Sequence, residues 1–376
     1  MASTKNVAAR PHWARPRGGA AEILTRLILL TVAVFLLGSC STSSAPASTR
    51  CKIALLLPEK NTARYETQDL PNFKSYLKAL GLGDDSLIYN NANQNATEQQ
   101  QQAEAALTNG AKVLVLDPVD SEAAAQIADL ANSKGVPVIS YDRLIKGSTG
   151  VNYYVSFENE KVGELQGAAL LTALADRAFP KIVMIHGSTT DNNSGLFKSG
   201  VHRVVNGKAN VVKEYDTPEW KPDNAQREME QALTTLNNQV DGVYAANDGL
   251  ASGAIAAMKA AGIHPLPPVT GQDAELAAIQ RILVGEQYMT VYKAIQLEAK
   301  TAAELAYAVC LGEKSNNPKV NGFVNNGARE VPSILLMPVS VFKENIKDTV
   351  VADRFWTTEQ ICTAEFKPDC DAIGLR

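Results

Sequence analysis

One pattern constrains this chain more than any other. An apolar run of strand length ends in polar residues, a helical segment follows, and the unit repeats. Residues 52–57, 86–89, 112–116 and 136–140 are such runs, with helical segments at 69–80, 97–109 and 121–134 between them. Continuous apolar runs of this length suit parallel strands buried on both faces. Gly81 stops the first helix, and Thr97 with Gln100 three residues on reads as a capping box opening the next. A second series has strands at 181–185, 211–215, 242–246, 269–271 and 289–292, with helices opening at Asp191 and spanning 223–237, 249–261 and 274–284. Between the series, a strand at 153–157 and the polar turn Glu158-Asn159 lead into a helix containing Gly163, Gly167 and Ala168. The helix 296–311 and the strand 334–337 complete the arrangement after the chain crosses back. This predicts an α/β architecture of two Rossmann-like lobes with parallel sheets, joined by a multi-strand hinge. The expected extents are 51–154 with 292–330 for one lobe, 155–291 with 331–352 for the other, and a tail over 353–376.

The chain has 376 residues, enough for two cores. Its start belongs to neither. Arg10, Arg15, Arg17 and Arg26 precede an apolar run at 27–37, about half of the ~20 residues a membrane-spanning helix needs. Basic residues, a short apolar core and small residues describe a secretory signal over 1–39. The run closes on Leu37-Gly38-Ser39-Cys40, which resembles the lipobox of bacterial lipoproteins and implies lipidation of Cys40 after cleavage. Residues 40–50 then form a polar tether. These features place the expected protein on the outer face of the cell membrane or in the periplasm, with Cys40 as its contact with the membrane surface. Loss of Lys5, Arg10, Arg15, Arg17, Arg26 and Glu22 takes the net charge from −4 to −8. An acidic chain without a basic run argues against nucleic acid as a partner.

Cys51, Cys310, Cys362 and Cys370 remain. In an exported chain an even number allows disulfides, and four cysteines permit three full pairings. Cys362 and Cys370 would close a short loop in the tail, while Cys51 and Cys310 are left open between pairing and buried thiols. No metal site is expected, because no CxxC or HxxxH spacing occurs. His186, His202 and His264 lack mutual spacing and are read as structural. No cofactor and no catalytic residue are expected.

Polar residues gather at corresponding strand ends in both series: Asp142 and Arg143 after the fourth strand, Asn247 and Asp273 in the second series, Lys293 after the last. Open α/β sheets bind ligands there, outside the strand carboxyl ends. Loops add Arg64, Tyr65, Asp191, Asn193 and Trp220. Asp supplies only acceptors, Arg and Lys only donors, and Asn both. A sugar hydroxyl both donates and accepts, so this mixture suits a monosaccharide. Trp220 and Tyr65 offer the apolar surface that a pyranose C–H face needs. Asp248 is assigned to the backbone at the start of its helix.

Tyr141-Asp142-Arg143, the segment 155–166, Asp191-Asn192-Asn193, Ala246-Asn247-Asp248, the segment 271–276 and the segment 289–293 resemble those of bacterial D-xylose-binding proteins. These are solute receptors of ABC importers in the periplasmic-binding-protein type I group, and the likeness runs in order from about Lys52 to about Val351. It implies that Arg64, Asp142, Arg143, Asp191, Asn193, Asn247, Asp273 and Lys293 hydrogen-bond the sugar and that Trp220 stacks on it. It also implies a monomer that closes on its ligand and is then met by ABC permease subunits. Two departures stand out: Tyr65 occupies a position where the family usually has a second Trp, and 356–376 lies outside the pattern. Other readings are a receptor for arabinose, ribose, glucose or galactose that serves a membrane sensor, and a sugar-modifying enzyme using Asp142, Asp191 or Asp273.

Overall fold

The computed structural model describes residues 51–313 and 319–375; the expected signal segment, Cys40 and the whole tether fall outside them. From its start the chain alternates β1 (Ile53–Leu57), α1 (Leu70–Ala79), β2 (Leu87–Asn91), α2 (Ala96–Thr108), β3 (Val113–Leu116), α3 (Ala125–Ser133) and β4 (Val138–Tyr141), and continues into β5 (Val151–Phe157). The second series is α4 (Asn159–Ala173), β6 (Lys181–His186), α5 (Asn192–Val205), β7 (Asn210–Asp216), α6 (Pro222–Leu236), β8 (Gly242–Ala245), α7 (Asp248–Ala260), α8 (Leu276–Leu283) and β9 (Thr290–Tyr292). The chain returns through α9 (Ile295–Cys310), β10 (Gly322–Asn325), β11 (Glu330–Leu336) and β12 (Val339–Val341), and ends in α10 (Thr358–Ile361) and α11 (Lys367–Ala372).

The apolar runs do what their continuity dictates. β1 and β3 are central in a seven-stranded sheet ordered β10-β11-β5-β4-β3-β1-β2 and are fully buried. Alternate residues serve opposite faces, as the pleat requires. Ile53, Leu55, Leu57, Val113 and Val115 pack with Phe73, Leu77, Ala302 and Leu305 from α1 and α9. Ala54, Leu56, Leu114 and Leu116 pack with Ala103, Ala106, Ile127 and Ala128 from α2 and α3. β1 pairs parallel with both β2 and β3, Ile53 facing Leu87 and Val113. The second sheet, β7-β6-β8, is also parallel and carries its own core. α4 and α5 cross closely because Gly163 and Gly200 lack side chains. A Cβ on either would lie 2.0 Å from a carbonyl oxygen of the other helix, Phe197 or Glu160.

Several expectations are corrected. The seven-stranded sheet is mixed, since β10 runs antiparallel to β11. β5 and β11 pair in this first sheet, Ser333 against Tyr154, so residues 155–157 and 331–336 go with it and not with the second. Residues 269–271 form no strand; Val269 makes one isolated bridge to Val243, leaving too few residues for a ladder. The cap of α2 is Asn95, whose side chain accepts from the Glu98 amide, and not Thr97. Asn leads Thr as a capping residue. β10, β12 and the tail helices were not expected at all.

The chain passes between the sheets three times, after β5, after β9 and after β11; β9 and β12 pair antiparallel beside these passages. Two disulfides close the ends. Cys51–Cys310 (Cα–Cα 5.7 Å) joins a residue two positions before β1 to the end of α9, across 259 positions. Cys362–Cys370 closes the tail, where Phe355, Ile361 and Leu375 pack on Ile279, Tyr292 and Ile295. The Trp356 indole donates to the Ala274 carbonyl at 2.8 Å.

Candidate functional site

The ten residues singled out above come from eight places along the chain, and all ten line one cavity of about 260 Å³. None is more than 4% exposed. Thr62, Phe197 and Gln272 complete the lining.

Asp142 is the hub. β4 ends at Tyr141, the Asp142 amide still donates to Val155 O at 2.8 Å, and then the backbone turns into the left-handed region (φ 52°). Asp tolerates that conformation better than most residues. The turn is held because the Asp142 carbonyl accepts from Ser156 Oγ (2.6 Å), Asn193 Nδ2 (2.9 Å) and Tyr154 Oη (3.1 Å). Its carboxylate meets Arg64 (3.2 Å), Lys293 (3.5 Å) and the Tyr65 hydroxyl, which donates at 3.2 Å. Burial alone would raise its pKa. Arg64, Lys293 and Arg143 outweigh that and hold the carboxyl well below the usual range.

Arg64 precedes a π-helical turn over Tyr65–Asp69. It forks onto Asp69 through Nε (2.9 Å) and Nη2 (2.7 Å), and Nη2 also reaches Glu298 of α9 at 2.7 Å. Tyr141 donates to the same Asp69 at 2.6 Å. Arg143 pairs with Asp191 (3.0 Å) and lies near Glu59 (3.5 Å) and Asp117 (3.7 Å). Burial pushes Asp117 and Glu298 well above the carboxylate range, with Arg143 and Arg64 only partly opposing it. Glu59, Asp69, Asp117 and Glu298 thus form a second layer behind Arg64 and Arg143. With Asp142, Asp191 and Asp273 in front, each of the three cations Arg64, Arg143 and Lys293 already has an acidic partner. Such a site disfavours an anionic guest and suits a neutral one rich in hydroxyl donors.

Asp191 fills both roles open to it. One oxygen caps α5 by accepting from the Asn193 amide at 2.8 Å, and the other holds Arg143. Asn247 caps α7 through Oδ1 (2.9 Å from Leu250 N) and lines the cavity as well. Asp248 does not serve its own helix, as was expected. It accepts from the Glu275 amide (2.9 Å), Thr290 Oγ1 (2.9 Å) and Gln287 Nε2 (2.7 Å), and burial raises its pKa to about 7. Asp273, at φ 92°, takes Lys293 at 3.3 Å.

Trp220 forms the flat wall. Its ring lies against Gly187, where an added Cβ would fall 2.0 Å from a ring carbon, and the edge of Phe197 meets it at 6.4 Å. Glu219 and Trp220 both have positive φ. The Glu219 carbonyl is held by Asn61 Nδ2 and Gln94 Nε2, both at 3.1 Å, from the other half of the chain. With Ser121 N donating to Thr190 O (2.9 Å), these bonds close the rim opposite the crossings. Tyr65 is not a free stacking face: its hydroxyl is engaged with Asp142, and Arg64 and Arg143 lie 5.3 and 5.6 Å from its ring centre.

The histidines need a correction too. His264 stays apart, but His186 and His202 approach to 6.0 Å between ring centres, and Glu214 lies between them. β6 and α5 bring together what sequence spacing keeps distant.

Comparison with known proteins fits this geometry. Residues 53–314 match the family model "Periplasmic binding protein domain". The chain is similar to the D-xylose-binding periplasmic protein of Escherichia coli K12, with 38% identity over 333 residues, 87% of this chain and 97% of the relative. It is 34% identical to the multiple sugar-binding periplasmic protein SbpA of Azospirillum brasilense, over 89% of this chain and 98% of that one. Among solved structures it resembles an ABC transporter solute-binding protein from Clostridium phytofermentans with bound β-D-glucose (TM-score 0.76, 27% identity, 82% of this chain and 99% of that one). By the family match over most of its length and the identity to these relatives, the chain belongs to the periplasmic binding protein family.

Proposed function

We propose that the chain captures a neutral aldose, D-xylose before others, and delivers it to the permease of an ABC importer. The observation that carries this reading is the convergence of Asp142, Arg143, Asp191, Asn193, Asn247, Asp273 and Lys293 on one small buried cavity walled by Trp220. The likeness to D-xylose-binding proteins over most of both chains supports the choice of sugar. The family binds solutes without transforming them. The carboxylates support that view, because Asp142, Asp191 and Asp273 each sit against a cation and act as fixed acceptors. Closure on the sugar joins groups from both halves, which supplies the differential affinity that shifts an open–closed equilibrium.

A second reading, a receptor for arabinose, ribose, glucose or galactose that presents its closed form to a membrane sensor, is favoured by the multiple sugar-binding relative and by the glucose-bound structure. Calorimetry and thermal shift against xylose, arabinose, ribose, glucose, galactose and fucose separate the two. D-xylose should give the lowest Kd and the largest rise in Tm. A tighter partner among the others overturns the choice of sugar, binding of none overturns the sugar reading, and a chemically altered sugar recovered by NMR makes the protein an enzyme.

The proposal extends to Cys40 as a lipid anchor. No helix among the described residues is long and apolar enough to cross a membrane. The mature protein from its native host should partition into detergent and lose that behaviour in Cys40→Ser. An equal aqueous distribution of both forms would remove the anchor.

A further inference from the structure

A second polar cluster lies outside the cavity. His186 ends β6, Glu214 lies on the neighbouring β7, and His202 comes from α5. Nε2 of His186 is 2.8 Å, and Nε2 of His202 2.7 Å, from the same oxygen, Oε1 of Glu214. All three atoms lie within 4.8 Å of one another. The His186 side chain is fully buried, whereas those of His202 and Glu214 are 26% and 29% exposed. The cluster therefore has a buried floor and a side open to solvent.

The ring of His202 is oriented by its far nitrogen. Nδ1 lies 3.1 Å from Asn206 Oδ1, and a neutral His202 with its proton on Nδ1, where that oxygen accepts it, presents the Nε2 lone pair. Metal-binding imidazoles are fixed in this way by a partner on the second nitrogen. That lone pair would face a carboxylate oxygen, a contact relieved either by a cation between them or by a second ring proton that Nε2 donates to Glu214. Tetrahedral metal–nitrogen and metal–oxygen bonds of about 2.0–2.2 Å place neighbouring ligand atoms roughly 3.3–3.6 Å apart. Glu214 Oε1, now 2.8 and 2.7 Å from the two imidazole nitrogens, would part from them by about half an ångström or more to admit an ion.

We propose that His186, His202 and Glu214 form a site for one divalent transition-metal ion of the class that prefers imidazole and carboxylate ligands (zinc, nickel or copper), with solvent in the remaining positions. The ion would fasten β6, β7 and α5 beside the cavity. The next residue after His186 is Gly187, which backs the Trp220 ring, and the His186 carbonyl accepts from Thr217 at 3.1 Å. Lys198 is the competitor. Its ammonium lies 3.4 Å from Glu214 and 3.0 Å from Asp216, so it occupies the solvent side of the same carboxylate.

Zinc chloride titrated calorimetrically into the chelator-stripped mature protein, with nickel chloride as a second probe, tests the site. One ion should bind with micromolar affinity or better and raise Tm. His202→Ala and Glu214→Gln, both at partly exposed positions, should each weaken binding at least tenfold, with far-UV circular dichroism confirming the fold. Lys198→Gln should tighten binding. No binding tighter than millimolar overturns the proposal, as does wild-type affinity in His202→Ala, which would put the ion elsewhere. The experiment contains no sugar, so it stands or falls separately from the receptor reading.

Discussion

Asp142→Asn should weaken binding of the preferred sugar by about 5- to 15-fold, the loss expected when one hydrogen bond to a charged group, worth about 1.5–3 kcal/mol, becomes one to a neutral group, worth about 0.5–1.5 kcal/mol. The substitution keeps the volume of the side chain, and Asn accepts the left-handed backbone found at this position (φ 52°). The three hydrogen bonds to the Asp142 carbonyl need no carboxylate and should survive. What disappears is the negative charge facing Arg64 and Lys293. Glu298 and Asp69 still hold Arg64, and Asp273 still holds Lys293, so neither cation is stranded. The effect should therefore fall mainly on the guest and less on folding. Calorimetry with the best sugar of the panel, beside a thermal melt, makes the measurement. An unchanged Kd would remove Asp142 from the binding surface, and a collapsed melt with unchanged Kd would make it a purely structural ion pair.

Much of this cavity was legible because its groups stand at the ends of apolar runs. A strand that stops in Asp142-Arg143 or Asn247-Asp248 announces the carboxyl edge of a sheet, and such edges face one another in a two-lobed α/β chain. The layer behind was not legible. Glu298 lies in the first turn of α9, 234 positions from its partner Arg64, and reads as an ordinary acidic residue at a helix start. Phe197 fits the apolar face of α5 and gives no sign that it also lines the cavity. Asp117 was visible at the end of β3, yet its neighbour Arg143 follows a different strand. Sheet membership failed for a related reason: β11 is apolar enough for either sheet, and only its register against β5 decides. The histidine cluster needed the third dimension, because β6 and β7 are joined through a whole helix.

Removing the Cys51–Cys310 bridge should cost far more stability than removing the Cys362–Cys370 bridge. In the chain-entropy account a cross-link stabilises according to the length of loop it closes in the unfolded state. A span of 259 positions corresponds to about 5.5 kcal/mol and one of 8 to about 2.5 kcal/mol. For a chain of this size the larger figure is a fall in Tm on the order of 5–10 °C. Cys51→Ser/Cys310→Ser and Cys362→Ser/Cys370→Ser, melted side by side under oxidising conditions, give the comparison. If the tail variant falls further, or the long-span variant melts like the parent, loop entropy is not what this bridge supplies.

The place of the long bridge has a mechanical consequence. Cys51 enters β1 at its amino end, whereas the cavity opens at the carboxyl ends of the strands. Pulling on the backbone upstream of Cys51 would load β1 and, through sulfur, the last turn of α9, at the base of the first sheet. The three passages that must flex during opening carry none of that load directly, so a molecule moored by its leading segment could gape and shut at the far edge while its base stays still.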